Sequence, residues 1–189
     1  MPVDPDLPLI EALQAGDDSA LNELIDRHRE ALRRFVFRYL RNDASCEDVV
    51  QETFVRVYFK AGKFLPKSSV KTWIYAIALN LCRDQFRRLA RHRGDISMDA
   101  PARGDAPRTE VADRAPLPSV LAVDSDRFAR LQRAIDELPE KLREAIILCF
   151  LEQRSQHEVA DILGITPKAV ETRVYHAKAR LRGALGSVL

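Results

Sequence analysis

The stretch from Ser155 to Arg182 permits few folds, because each of its boundaries falls on residues that start or stop a helix. Ser155 and Glu158 have the S-x-x-E spacing of a capping box, in which hydroxyl and carboxylate each satisfy a backbone N–H left open at a helix start. Val159, Ile162 and Leu163 give that helix an apolar side. Gly164 follows where a left-handed residue would close it, and Ile165 can pack into the corner. Thr166 is placed to cap a second helix, with Pro167 at its first position, where the missing N–H costs nothing. Val170, Val174, Ala177 and Leu181 form one stripe of that helix, while Lys168, Thr172, Arg173, Tyr175, His176 and Arg180 fall outside it. Two helices joined by a short glycine turn, the second polar and basic on its outer surface, are the usual device for reading a DNA major groove. An ordinary helical hairpin would obey the same local rules.

The 189 residues suffice for one domain or two small ones, and 46% hydrophobic residues suffice for packed cores. The longest apolar run is far short of a membrane span. Met1-Pro-Val-Asp-Pro-Asp lacks the basic and apolar segments of a secretory signal. Cys46, Cys82 and Cys149 stand alone in helical patterns with no C-x-x-C pair, which argues for small core residues and against a disulfide framework or a zinc site. A reduced, cytoplasmic protein without membrane insertion is expected.

The net charge of +2 conceals an uneven distribution. Between Lys71 and Arg93, Lys71, Arg83, Arg87, Arg88, Arg91 and Arg93 face only Asp84; between Lys168 and Arg182, five cations face only Glu171. Either helix alone reads as a solvated face, but two together suggest two contacts with a polyanion.

Breakers divide the remainder. A short helix near Leu7–Gln14 ends at Gly16, and a long one follows Asp17-Asp18 with Leu21, Leu24, Ile25, Leu32, Phe35, Val36 and Tyr39 at helical spacing. Asp43 can cap a third helix running through Lys60, with Cys46, Val50, Phe54 and Val57 inward. After a loop over 62–69, a fourth helix spans about Val70 to Arg93, burying Trp73, Ile74, Ile77, Ala78 and Leu81. Prolines 101, 107, 116 and 118 punctuate an aperiodic segment. Helical pattern resumes near Asp124 with Phe128, Leu131 and Ile135, and restarts at Leu138-Pro139-Glu140, with proline at the first helical position, through Ile146, Ile147, Cys149 and Phe150. The expectation is an all-α protein of two helical domains, 1–93 and 124–189, joined by a flexible linker over 94–123. No phosphate-cradling loop, metal-ligand spacing or catalytic constellation is present in the sequence, so neither enzyme activity nor a cofactor, metal or small-molecule substrate is expected.

Asp48-Val-Val-Gln-Glu-Thr-Phe-Val-Arg56 and Thr72-Trp-Ile-Tyr-Ala-Ile-Ala-Leu-Asn-Leu-Cys-Arg-Asp84 resemble region two of bacterial RNA polymerase sigma factors. Leu138-Pro-Glu-Lys-Leu-Arg-Glu-Ala145 and the helix-turn-helix resemble region four. With only a linker between them, the likeness is to the extracytoplasmic function (ECF) subgroup. It covers nearly the whole chain outside the linker, and the joint order of the motifs is highly specific.

The resemblance implies roles. Asp48, Gln51, Glu52 and Arg56 form a polar ridge one helical turn apart, which in the family grips core RNA polymerase; read by itself, the ridge is a solvated helix face. Phe64, Lys71, Asn80, Arg83, Arg87 and Arg88 fall where the family melts the minus-ten element of promoter DNA, work that calls for a wedge, a base pocket and cations for single-stranded DNA. Trp73 and Tyr75 lie beside this set, Trp73 on the core side. Lys168, Glu171, Thr172, Arg173, Tyr175 and His176 would face the minus-thirty-five element. Glu171 and His176 stand where many relatives carry arginine; a glutamate there can accept from cytosine N4 or point to solvent. An anti-sigma factor is the expected regulator. Two other readings fit the residues: a helix-turn-helix repressor or activator with a sensing bundle, and a protein that sequesters a regulator without starting transcription.

Overall fold

The computed structural model describes the backbone of residues 4–96 and 119–186 and the side chains of 4–88 and 127–186. Among these residues every regular element is helical. Helices α1 (Leu7–Gln14), α2 (Ser19–Leu40), α3 (Asp43–Lys60) and α4 (Val70–Ile96) pack as one bundle; α5 (Ser119–Asp136), α6 (Glu140–Ile146), α7 (Gln156–Leu163) and α8 (Pro167–Leu185) form a second group.

The first bundle closes because α2 carries Leu24, Leu32, Phe35 and Val36 on one side, and α3 and α4 present Val50, Phe54, Val57, Ile74 and Ala78 to it. Each such side chain removed from water stabilises the fold by roughly 1.5–3 kcal/mol before entropy is counted. Asp6, at the start of α1, binds the α2 residues His28 (2.7 Å) and Arg27 (2.9 Å). Asp4 accepts from the Val70 amide at 2.6 Å, tying the same segment to the start of α4. Cys46 and Cys82 are buried and Cys149 is half-buried. Burial pushes the Cys46 thiol up to about 11 and the Cys82 thiol higher still.

In the second group the expected punctuation is present. Ser155 and Glu158 complete the capping box, Gly164 is left-handed at φ +65, and the Thr166 hydroxyl accepts from the Ala169 amide with Pro167 at the first helical turn.

Four local expectations are corrected. The cap of α3 is Asn42, whose Oδ1 accepts from the Ser45 amide at 2.8 Å, because the left-handed Arg41 leaves Asn42 extended; Asp43 is the first helical residue. Pro139 precedes α6 in an extended conformation, so Glu140 begins the helix. The apolar run after Ile146 leaves α-geometry: residues 147–151 form a π-helical turn, with the Glu152 amide donating to the Ile147 carbonyl five residues back. This widened turn ends at Gln153, which has φ 52. The linker expected over 94–123 is shorter at both ends, since α4 continues to Ile96 and α5 starts at Ser119, directly after the last proline; the rest of it lies outside the described residues.

Candidate nucleic-acid interface

Helix α3 turns Cys46, Val50, Phe54 and Val57 into the bundle, which leaves Asp48, Gln51 and Glu52 exposed along its outer side. Arg56 folds back on Glu52, Nε to Oε1 at 2.8 Å, a pair one turn apart. This ridge forms one wall of an open groove of about 950 Å³, and Asp84, Gln85, Arg87 and Arg88 of α4 form the opposite wall. The ridge and the basic half of α4 therefore border the same concavity.

The six minus-ten candidates do not form one cluster. Asn80, Arg83 and Arg87 recur at three and four residues on one stripe of α4, with Arg88 beside it and Asn80 Oδ1 accepting from Arg83 at 3.1 Å. Lys71 lies nine residues before Asn80, half a turn out of phase at about 3.6 residues per turn. Phe64, expected as a wedge, is buried and packs on Trp73 with ring centroids 4.8 Å apart. The reason is the half-buried Trp73 ring, which needs a cover that the preceding loop supplies. Leu65 is the apolar side chain this loop exposes, at 63%. Tyr75 is almost fully buried against Phe35, 5.1 Å away.

On α8, Val170 and Ala177 are buried and Val174 half-buried, which leaves Lys168, Glu171, Thr172, Tyr175 and His176 exposed and Arg173 half-exposed. Lys168 Nζ meets Glu171 Oε2 at 2.8 Å. Glu171 thus lies back along its own helix toward Lys168, while Tyr175, 69% exposed, stacks edge-on to His176. His176 also lines a shallow recess with Lys141 and Arg180, three cations or potential cations against the α6 start.

Two features were missed by sequence reasoning. Val55, Tyr58 and Phe59 form an exposed apolar patch on α3, with Phe59 75% exposed, bordering a groove of about 570 Å³ with Leu21 and Ile25 of α2. Their i, i+3, i+4 spacing was visible, but a second apolar stripe beside the buried one looks like core.

The other missed feature is a polar seam between the two helical groups, where α4 packs on α7 and α2 on the π-turn. Arg83 grips Glu144 with two parallel bonds, 2.7 and 2.9 Å, and Glu144 is 1% exposed. Arg38 binds Glu152 and the Leu151 carbonyl. In return, the Arg154 guanidinium lies 4.2 Å from the Tyr75 ring centre and Arg143 lies 4.3 Å from that of Phe86. Burial, reinforced by Glu144 and Glu140, holds the Tyr39 phenol far above its ordinary range, and burial with Glu152 raises that of Tyr75.

Residues 24–92 match the Sigma-70 region 2 family model, and residues 128–181 match Sigma-70 region 4. The sigma factor CnrH of Cupriavidus metallidurans is 31% identical over 192 residues, spanning 97% of this chain and 96% of its own. The chain belongs to the ECF family of RNA polymerase sigma factors. ECF sigma factor SigW of Bacillus subtilis is 29% identical over 179 residues, covering 93% of this chain and 94% of SigW. A solved structure of CnrH in complex with the cytosolic domain of CnrY superposes with a TM-score of 0.68 at 27% identity, covering 97% of this chain and 99% of that one. In this sigma factor the region 2 match spans the α3 ridge and the stripe of α4, and the region 4 match spans α7 and most of α8.

Proposed function

We propose that this ECF sigma factor binds core RNA polymerase through Asp48, Gln51, Glu52 and Arg56, and directs it to promoters by way of two DNA surfaces. Helix α8 reads the minus-thirty-five element in the major groove through Lys168, Glu171, Thr172, Arg173, Tyr175 and His176. The stripe Asn80–Arg83–Arg87, with Arg88, engages the opened minus-ten strand, where cations follow the backbone and unstacked bases need a pocket. Phe64 serves that surface by fixing Trp73 and the loop, leaving Leu65 as the apolar contact, and Lys71 contributes charge from the opposite side of α4. The observation that carries this reading is the shared groove: the exposed α3 ridge faces the cationic half of α4, so a partner on one wall lies beside DNA on the other.

The protein acts without chemistry of its own, in the cytoplasm; no helix among the described residues is long and apolar enough to cross a membrane. CnrH, its relative over nearly the whole chain, is known in complex with a second protein, CnrY, which supports control of this chain by an anti-sigma partner. The test is reconstitution of core polymerase with the purified chain on genomic DNA. Discrete new start sites are expected. Binding to duplex DNA without polymerase, and no initiation with it, would favour a repressor-type regulator instead.

A further inference from the structure

We propose that helix α1 is the strut of the minus-ten loop: Asp4 and Gln14, at its two ends, are positioning residues that hold residues 61–70 by the backbone and keep Leu65 presented to the unstacked strand. This rests on the reading of that loop as part of the minus-ten surface. Asp4 Oδ2 accepts from the Val70 amide at 2.6 Å, where the loop ends and α4 begins. Gln14 Nε2 donates to the Ala61 carbonyl at 2.9 Å, where α3 ends and the loop begins. The same carbonyl accepts from the Phe64 amide at 3.0 Å, so Gln14 braces the turn that sets Phe64 against Trp73. One short rod thus joins both ends of the loop, and its length, about 1.5 Å per helical residue, fixes their spacing.

The strut is itself anchored by other groups. Ile10 is fully buried, and Leu7, Leu9 and Leu13 pack on the core. Asp6 binds Arg27 and His28 of α2, and Pro5 and Pro8 restrict the backbone at the entry to the helix. Asp4 is half-buried and Gln14 exposed, so neither side chain is needed to fill the bundle. Helix α4 also has a local cap in Ser69, whose Oγ accepts from the Thr72 amide at 3.2 Å. What Asp4 and Gln14 add is a fixed position for the loop between them. A loop already held in its binding arrangement loses less freedom when it captures a strand.

Trp73, the one tryptophan of the chain, stands against Phe64 and reports on the loop without DNA. Acrylamide quenching of its fluorescence is measured on the free full-length wild type, Asp4→Asn, Gln14→Ala, Leu65→Ala and the double variant Asp4→Ala, Gln14→Ala. The same proteins are then joined to core polymerase on a promoter mapped by the genomic reconstitution. Closed binding is read by retention of the duplex fragment, and opening by permanganate reactivity of unpaired thymines. At wild-type helicity and closed binding, the double variant should show raised quenching. It should also open about tenfold more slowly, the factor expected if about a tenth of its loops keep the wild-type arrangement. Gln14→Ala alone, at an exposed position, should move both readouts in the same direction. Asp4→Asn, which keeps an acceptor for the Val70 amide, should match wild type. Unchanged quenching in the double variant would overturn the strut, as would raised quenching with wild-type opening while Leu65→Ala is slow. Equal losses of closed binding and opening would make Asp4 and Gln14 merely structural and overturn it too. Wild-type opening in Leu65→Ala and the double variant alike would show that the loop is not a minus-ten surface, and the inference would fall with that reading.

Discussion

Helices α4 and α8 are both rich in cations, but the molecule holds them differently. On α8 the ion pair at the start of the helix stays within that helix: Lys168 pairs with Glu171 one turn on, both well exposed, an arrangement worth about 0–1 kcal/mol. On α4 the central cation, Arg83, is committed to a buried carboxylate from another part of the chain, 61 residues away. A run of arginines in sequence therefore measures how much positive charge a helix supplies, and the tertiary contacts decide how much of it is available. The aromatic residues differ in the same way. Phe64 is enclosed against Trp73, whereas Tyr175 projects from α8.

The largest effect that could break this contrast is on stability. Phe64→Ala should destabilise the first bundle by about 3–5 kcal/mol, the range for emptying a buried aromatic site, in urea denaturation. Tyr175→Ala should stay within about 0.5 kcal/mol of wild type while weakening promoter binding. Equal stability losses would mean that the two rings are held alike.

The next effect concerns recognition. If Glu171 reads cytosine, Glu171→Ala relaxes preference at one minus-thirty-five position by about 1–3 kcal/mol in a selection on randomised promoters. If it only repels phosphate, the same change tightens binding to every sequence, an effect that fades with salt. The ion pair with Lys168 favours the first outcome, since it already neutralises the carboxylate when no base is present.

These contrasts also explain what was legible in the sequence. The start and stop of α7 and α8 depend on neighbours within four residues, and Ser155, Glu158, Gly164, Thr166 and Pro167 all perform as their local chemistry requires. The buried stripes of α2 and α3 were equally plain. Asn42 was overlooked as a cap because Asp43 is an equally good capping residue one position on. The π-turn was hidden because Ile146–Phe150 is uniformly apolar and favours no particular helical register. The ridge residues of the candidate site were exposed as their spacing suggested, but the commitment of Arg83, Arg38 and Tyr75 to the second group joins residues 61 to 114 positions apart, beyond the reach of any local pattern.

The smallest effect concerns pH. Burial opposes ionisation of Glu158, but hydrogen bonds from Ser155 and Arg154 outweigh it and hold the carboxyl below its ordinary value. Stability from the capping box is thus fully present above the ordinary glutamate range and is lost as pH falls through the depressed value. The loss should be about 0.5 kcal/mol, discounted for partial exposure. Amide exchange at the start of α7 should accelerate on acidification relative to α4, and Glu158→Gln should remove that dependence.

The central claim is that the exposed ridge of α3 docks core RNA polymerase, and a titration of core enzyme with the double variant Asp48→Arg, Glu52→Arg tests it most directly. Both positions are exposed, so helicity and thermal melting should match wild type while binding to core polymerase is lost. A correctly folded double variant that still binds core enzyme with wild-type affinity would contradict the account.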